Sequence, residues 1–589
     1  MAETLIPNTS LHDVASYDIV IDGNALAPSF QLLSLSVTKE TNRVPQARMV
    51  FRDGSSADKD FPLSADDSFI PGKPVIIKIG RDSTNTQVFK GIITQHAVKV
   101  RANGDTELLI ECRDETVLMT TGRHSKYYQQ LSDSDLFQQL ITNYSNLSVS
   151  SDTTSLTHKE IVQHHISDWD FLLLRAEANG LLVNVSDGTL EIKKPNTGAN
   201  PVLTVTFGSS ILEFDAEIDA RTQWQSVQSR SWDYTGQQLF SATSSSTSLS
   251  EPGNISGNQL AGAIKTDYEM HHSGHLLQQE LQAWADGAFM RSRLAKIRGR
   301  AKVEGFSGIK PGDMVKIDGM GNRFNGNAYV TAVRQDLGGG IWETQIQFGL
   351  HPDYHVRLHK DIADVPNAGL AGPISGLQIG KVVKLESDPD GEDRILVRIP
   401  VIDKDAQGIW TRVATLDAGD NRGSFFLPEI DDEVIVGFIN DDPRHAVMLG
   451  MVHSSKKPAP LTAQDANDKK GFTTRSKMHV SFDDNTKTIV IDTPAGNSIT
   501  LDEAGTKIEI KDQNQNKITL DSSGITLDSP KNIEIKAGVN LTLSAAATLS
   551  ISGASVSMKA DADVSIQGAM AKMAAQGITE ITGSLVKIN

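Results

Sequence analysis

The sequence predicts a mainly β chain that ends in a stiff rod, and three observations predict it. Alternating apolar runs of strand length fill residues 17–110 and return at 190–235 and 301–350. Six short β-segments crowd into residues 379–455. From about residue 487 onward, apolar i, i+2 pairs recur at a nearly constant spacing. Composition agrees. Aromatic residues are 6% of the chain while glycine numbers 47, a balance of strands and turns and not of an aromatic-rich binding surface. With roughly 100–200 residues per domain, 589 residues make about three to five domains.

The early elements follow in order. Leu32–Val37, Val75–Ile79, Gly91–Val100 and Glu107–Glu111 read as strands separated by Gly/Asp/Asn turns, which favours a barrel or sandwich. Ser132-Asp133-Ser134-Asp135 then opens a helix with Leu136, Phe137, Leu140 and Ile141 on one side. A second helix is predicted in SDWDFLLLRAEANG, with Ser167 or Asp168 as cap and Gly180 as stop. Residues 241–260 are Ser/Thr/Gly-rich and read as an exposed loop. Residues 275–298 read as a helix whose basic end suits its dipole. After a Gly/Pro linker at 361–378, GKVVKLE, RILVRIPV, IWTRVAT, GSFFLPEI, DEVIVGFI and AVMLGMV fit a small OB-type barrel.

The ladder carries the most information. Ile489/Ile491, Ile499/Leu501, Ile508/Ile510, Ile518/Leu520, Ile525/Leu527, Ile533/Ile535, Leu541/Leu543, Leu549/Ile551, Val556/Met558 and Val564/Ile566 succeed one another, and the spacing settles near eight residues. Residues i and i+2 share one face of a strand, so each unit is a short strand with one buried face followed by a turn. No Phe, Trp or Tyr occurs after Phe482, which suits a narrow aliphatic core. One chain winding three units per coil and three chains intertwining both fit the pattern.

Charge and cysteine content exclude several function classes. Lys and Arg total 56 against 73 Asp and Glu, a formal charge of −17, so broad nucleic-acid or anionic-lipid binding is disfavoured. Cys112 is the single cysteine, which rules out an intrachain disulfide framework and a Cys-rich zinc module. Apolar runs such as Val434–Ile439 are far shorter than the roughly 20 residues a membrane helix needs. MAETLIPNTS has neither the basic nor the apolar segment of an export signal, so none is expected.

At this level of detail the chain resembles VgrG-type spike proteins of contractile injection systems, relatives of the hub and spike of contractile phage tails. LLSLSVTKETNRVPQARMVFRDG is similar to the family's opening barrel, SDWDFLLLRAEANGLLV to its S-D-W/F-D-F-L…R-A-E…G stretch, and GSFFLPEIDDEVIVGFINDDPRHAVMLGMVH to its OB segment. The resemblance implies two barrel-like hub domains with inserted helices, an OB-type barrel and a trimeric intertwined β-helix needle. The boundaries expected are 1–115 and 116–360 for the hub barrels, 361–378 for a linker, 379–455 for the OB-fold, 456–480 for a second linker and 481–589 for the needle. The needle core is then Ile508, Ile510, Ile518, Leu520, Ile525, Leu527, Ile533, Ile535, Leu541, Leu543, Leu549, Ile551, Val564 and Ile566. Ile581, Leu585, Ile588 and Asn589 fall at the end that would dock a PAAR-type tip protein. Tail tube protein and baseplate components would meet the hub, effectors would ride as cargo, and the target membrane would be touched transiently. The resemblance further implies assembly in the bacterial cytoplasm, then residence in an extracellular or envelope-associated particle.

No catalytic or metal site and no cofactor is expected. His164-His165-x-x-Asp168-x-Asp170 and His271-His272 with His275 lack zinc-ligand spacing. Cys112 reads as a buried inert thiol, Gly338-Gly339-Gly340 as a hairpin turn, and the Asp431-Asp432 and Asp441-Asp442 pairs as solvated turns. The basic run Arg291 to Arg300 reads as a salt-bridged helix face. About 17 residues between OB barrel and needle leave no room for a lysozyme-like insert, and the ladder runs to the last residue, so no terminal toxin domain is expected. The competing readings are a hydrolytic or toxin-bearing spike and a monomeric β-solenoid adhesin or carbohydrate enzyme.

Overall fold

The computed structural model describes residues 14–245, 249–265 and 267–588. The expectations placed on the first ten residues and on Asn589 lie outside the described residues. Among the described residues, thirteen strands form one continuous sheet. One half contains Ala15–Ile21, Asn24–Ala25, Leu32–Glu40, Gln46–Arg52, Pro74–Arg81, Thr84–Val100 and Thr106–Arg113; the other contains Leu203–Thr206, Ile211–Ile218, Ile297–Glu304, Met314–Asp318, Gly326–Gly338 and Ile341–Phe348. Strict alternation turns every second side chain inward. Ile19 and Ile21, near one end of the first half, share a core with Leu35 and Val37 from its other end, and with Phe51, Ile77, Phe89 and Ile110. A sheet whose distant strands fill one core has curled, and the second half curls likewise around Val205, Val303, Ile317, Val330, Ile346 and Phe348. The two barrel-like units are joined by a ladder that pairs Ala332 with Glu40 through Gly338 with Ser34. The turn after it is Gly339-Gly340, both at positive φ (60° and 78°), which a two-residue hairpin of the primed type requires.

Cys112 lies fully buried in the first core, and burial pushes its thiol far up. We expect a thiol reagent such as dithionitrobenzoate to leave the native chain unmodified and to modify one thiol per chain once denaturant is added; rapid native labelling would contradict this burial.

The helices pack beside the sheet. α1 (Asp133–Ile141) starts at a capping box in which Ser132 and Asp135 bond each other's backbone N–H. α2 (Asp168–Ala178) is capped by Ser167. α3 (Gly257–Ile264) lies where a continuous loop is expected; its box of Ser256 and Gln259 hides within a serine-rich run. α4 (Gln278–Leu294) ends sooner than expected because Ile297–Glu304 is a strand of the large sheet. The basic run is therefore not one helix face. Arg291 and Arg293 are buried on α4, whereas Arg298 and Arg300 pair across strands with Glu217 and Asp215.

Two buried ion clusters tie these elements together. Asp133 accepts from Arg175 Nε at 2.6 Å, Arg175 Nη2 at 2.9 Å and Asn179 Nδ2 at 2.8 Å, and its other partner is His158 Nε2 at 2.9 Å. Burial alone would raise this carboxyl; the bonds from His158, Arg175 and Asn179 and the guanidinium charge outweigh it and hold it well below the usual 3.8. Because the folded value lies below the unfolded one, the stabilisation is present above the unfolded range and is lost as pH falls through it and beyond. Asp133→Asn should therefore lower stability at neutral pH and flatten its decline below about pH 5, read by chemical denaturation across pH. The second cluster forms where α2 crosses α4. A Cβ at Gly180 would stand 2.9 Å from Gly287 Cα, so two glycines permit the approach that brings Glu177 to Arg291.

The small barrel closes from five strands, Gln378–Lys384, Ile395–Arg398, Ile409–Val413, Glu433–Phe438 and Ala446–Met451, around Val382, Val397, Val434, Val436 and Met448. The expected sixth strand, GSFFLPEI, does not form. Only Arg422–Gly423 pairs, with Ala418–Gly419, and Pro428 lacks the N–H a ladder would use. Phe425 in this segment is 84% exposed.

Candidate needle interface

Seven five-residue strands, Lys469–Thr473, His479–Asp483, Thr488–Asp492, Ser498–Asp502, Lys507–Lys511, Lys517–Asp521 and Gly524–Asp528, form an antiparallel ribbon in chain order. The ribbon begins earlier than the expected boundary at 481, because its first strand lies within the stretch read as linker and its second straddles the boundary. Strand partners directly opposite one another share a face. Phe472, Val480, Ile491, Ile499, Ile510, Ile518 and Leu527 are successive partners, and so are Phe482, Ile489, Leu501, Ile508, Leu520 and Ile525. Two unbroken apolar columns thus run down one face, while Thr500, Glu509, Thr519 and Thr526 occupy the other.

Ile508, Ile510, Ile518, Leu520, Ile525 and Leu527, expected together in the needle core, all lie on this face of the ribbon. Within one chain Ile510 and Ile518 stay 42% and 37% exposed. A groove of about 630 Å³ follows the first column, lined by Ile491, Ile499, Ile510, Ile518, Leu527 and Ile533 and rimmed by Asn497 and Asn516. Apolar columns left uncovered along successive strands mark a contact surface.

Beyond Asp528 the architecture changes. No strand pairing occurs within residues 529–588; the chain runs extended and bends at Gly538-Val539, Ala546-Ala547, Ala554, Asp561-Ala562, Ala569, Gln576-Gly577 and Ser584. Ile533, Ile535, Leu541, Leu543, Leu549, Ile551, Val564 and Ile566 are the second and fourth residues of the extended runs between bends. All are more than half exposed in the single chain. The ladder therefore has two regimes. Units up to Asp528 fold back on themselves, the last of them, from Ile518 to Ile525, across only two residues; units beyond it turn at a bend and do not reverse. A single-chain coil would pair residues about 24 apart, and no such pairing is present among the described residues.

Two features of the interface escape a search for apolar pairs. Phe472, Val480 and Phe482 extend the columns at the start, where V-x-F is the same i, i+2 signal written with an aromatic residue. Ala571/Met573 and Thr579/Ile581 continue the second-and-fourth register distally, hidden because Ala and Thr are weak apolar signals. Among the residues expected at the docking end, Ile581 and Ile588 keep that register while Leu585 has the opposite parity.

Elsewhere the titratable runs are spent on separate carboxylates. His165 pairs with Asp364 at 2.9 Å, His275 with Asp233 at 3.3 Å, and His355 with Asp170 at 2.8 Å; His124 meets Asp168 at 2.9 Å. Asp431 and Asp432 face Lys381 and Lys457, and Asp442 faces Arg444, whose side-chain hydrogen bonds hold its carboxyl at about 2.

Curled hub-like barrels, a closed five-stranded barrel and an unpartnered aliphatic ribbon define a multidomain β assembly protein whose surfaces are built for other chains. Comparison with known proteins agrees. The Alg8 N-terminal domain matches residues 11–338, more than half of the chain. A type VI secretion system/phage-baseplate injector OB domain matches 378–453, and a phage baseplate V C-terminal trimerisation domain matches 488–571. The chain belongs to the Alg8 N-terminal domain family, and its two further matched domains are those of phage-baseplate and type VI secretion injectors. It is similar to the type VI secretion system spike protein VgrG1a of Pseudomonas aeruginosa, 22% identical over 69% of this chain and 66% of that one. It is also similar to VgrG1b of the same organism, 25% identical over 32% of this chain and 26% of that one. The matches thus span less than two thirds of these relatives' lengths. Among solved structures, it is similar to the tail protein from Neisseria meningitidis, with a TM-score of 0.44 and 14% identity, over 57% of this chain and 96% of that one. The E. coli c3393 component of the type VI secretion system gives 0.37 and 12%, over 74% and 99%.

Proposed function

We propose that three copies wind residues 529–588 into one intertwined needle, and that the trimer is the central spike of a contractile injection machine. One observation carries this reading. The distal ladder keeps a strand-like register for eight units yet finds no strand partner in its own chain. Extended backbone buried against an aliphatic core must have its N–H and C=O groups paired, and partner chains are the remaining source of such pairing. The matched trimerisation domain supports the same reading.

On this reading the chain acts mechanically and not as an enzyme. The curled barrels meet the tail tube and baseplate, the OB barrel joins them to the needle, a PAAR-type protein caps the distal end, and effectors travel as cargo. Contraction of the surrounding sheath drives the needle through a target membrane. The outward positions of the rod are largely Ser, Thr, Asn, Lys and Glu, so the rod would not enter lipid unaided. No helix among the described residues is long and apolar enough to cross a membrane. The particle would assemble in the bacterial cytoplasm and act outside it or across the envelope.

The test is the solution mass of the full chain by light scattering. Three chains of 63.8 kDa give 191.4 kDa, with the hydrodynamics of an elongated body. A folded species of 63.8 kDa would overturn the reading. Turnover of peptidoglycan or phospholipid by the purified trimer would instead favour the hydrolytic spike.

A further inference from the structure

One outward position of the needle changes character along its length. The residue just before each inward first member has the opposite parity, so it faces away from the core. In the first five distal units it is Asn532, Asn540, Thr548, Ser555 and Asp563. In the next three it is Met570, Ile578 and Leu585. These three are 87%, 91% and 80% exposed in the single chain. The other outward position stays polar over the same stretch, as Lys572, Glu580 and Lys587. The inward first members of these three units are Ala571, Thr579 and Val586.

We propose that Met570, Ile578 and Leu585 form a collar on the flanks of the needle tip that is covered by a protein sleeve. Its inner wall would be apolar and threefold repeated, with charged groups set to meet Lys572, Glu580 and Lys587. The inference rests on the trimeric reading above and adds a flank interface to the end-on docking. Area and length choose the occupant. Three chains present nine such side chains, at about 100 Å² each about 900 Å² in all, close to the roughly 800 Å² per partner of a stable protein interface. Three layers at the strand spacing rise only about 14 Å, less than half the roughly 30 Å of a bilayer's hydrocarbon, so a stripe shaped for lipid would be longer.

The experiment uses the full chain carrying Met570→Ser, Ile578→Ser and Leu585→Ser, with Asn540→Ser as the proximal control. Binding of a purified PAAR-type tip protein is titrated, and mass is measured in parallel. The expected result is a triple variant that stays at 191.4 kDa and binds the tip protein at least about tenfold more weakly, with the control unchanged. Unchanged binding by the trimeric triple variant would overturn the collar and leave the trimer standing. Dissociation of the triple variant alone would overturn it by placing these side chains in the core. An unaltered chain of 63.8 kDa would instead fail the trimeric reading itself. In a second arm, a fluorophore on Ile578→Cys is exposed to phosphatidylcholine–phosphatidylglycerol vesicles and then to the tip protein. Shielding by the tip protein alone supports the sleeve; shielding by vesicles alone would overturn it in favour of lipid.

Discussion

Aspartate at both Ile510 and Ile518 is expected to leave the chain monomeric. The two residues are direct cross-strand partners at the middle of the first apolar column. In the trimer they would face the equivalent columns of two other chains, so the double variant places six carboxylates in one dry, narrow core. Removing a charge from water without a partner costs several kcal/mol per ion even after relaxation, and like charges stacked a strand apart add to it. The native side chains contribute about 1.5–3 kcal/mol each when fully buried, which is lost at the same time. The expected result is a shift from 191.4 to 63.8 kDa in light scattering, with the circular dichroism of the barrels retained. Thr526→Asp is the matching control. Thr526 lies on the polar face opposite Thr519, and its charge stays in water, so the trimer should persist. A trimeric double variant would mean that the columns do not face the threefold axis.

Local features of the fold are legible in the sequence, and long-range ones are not. Ser132 and Asp135 announce α1 because a capping box is contained in four residues. The ladder is legible because i, i+2 parity survives any arrangement of the chains. The step from hairpinned to bent units is not written in the spacing: the unit from Ile518 to Ile525 is already seven residues and still folds back, and the hairpins stop only at Asp528. GSFFLPEI misleads because apolar residues beside a turn look like a strand, whereas Pro428 and the exposed Phe425 and Phe426 belong to an open segment. α3 is masked by its serine-rich neighbours. Nothing local reveals that Leu32–Glu40 pairs with Gly326–Gly338 to merge two barrels into one sheet, since the pairing joins strands about 300 residues apart. The Glu177 cluster is invisible for the same reason. Its partners come from four separate parts of the chain.

That cluster sets the second large effect. Glu177 on α2 accepts from Asn42 Nδ2 at 3.2 Å, from the His355 backbone N–H at 2.8 Å and from Arg291 Nη2 on α4. Arg291 also donates to the carbonyls of His351 at 3.2 Å and Asp353 at 2.9 Å, and lies 4.6 Å from the Tyr354 ring centroid. One carboxylate therefore fastens the first barrel, two helices and the segment that leaves the second barrel. Both members of the ion pair are buried, with side chains 4% and 7% exposed. Glu177→Ala leaves the guanidinium without its counter-charge and the His355 N–H without its acceptor. Breaking a buried pair from one side costs about 3–5 kcal/mol, far more than the roughly 0–1 kcal/mol of an exposed pair. Urea denaturation followed by tryptophan fluorescence should register that loss in the hub transition, with Trp169 on α2 and Trp284 on α4 as local reporters. Asp215→Ala, which breaks the exposed pair with Arg300, should change the same transition by less than about 1 kcal/mol. Similar small losses from both variants would mean that the carbonyls of His351 and Asp353 satisfy Arg291 unaided, and that the corner is held by the crossing at Gly180 and Gly287 and not by charge.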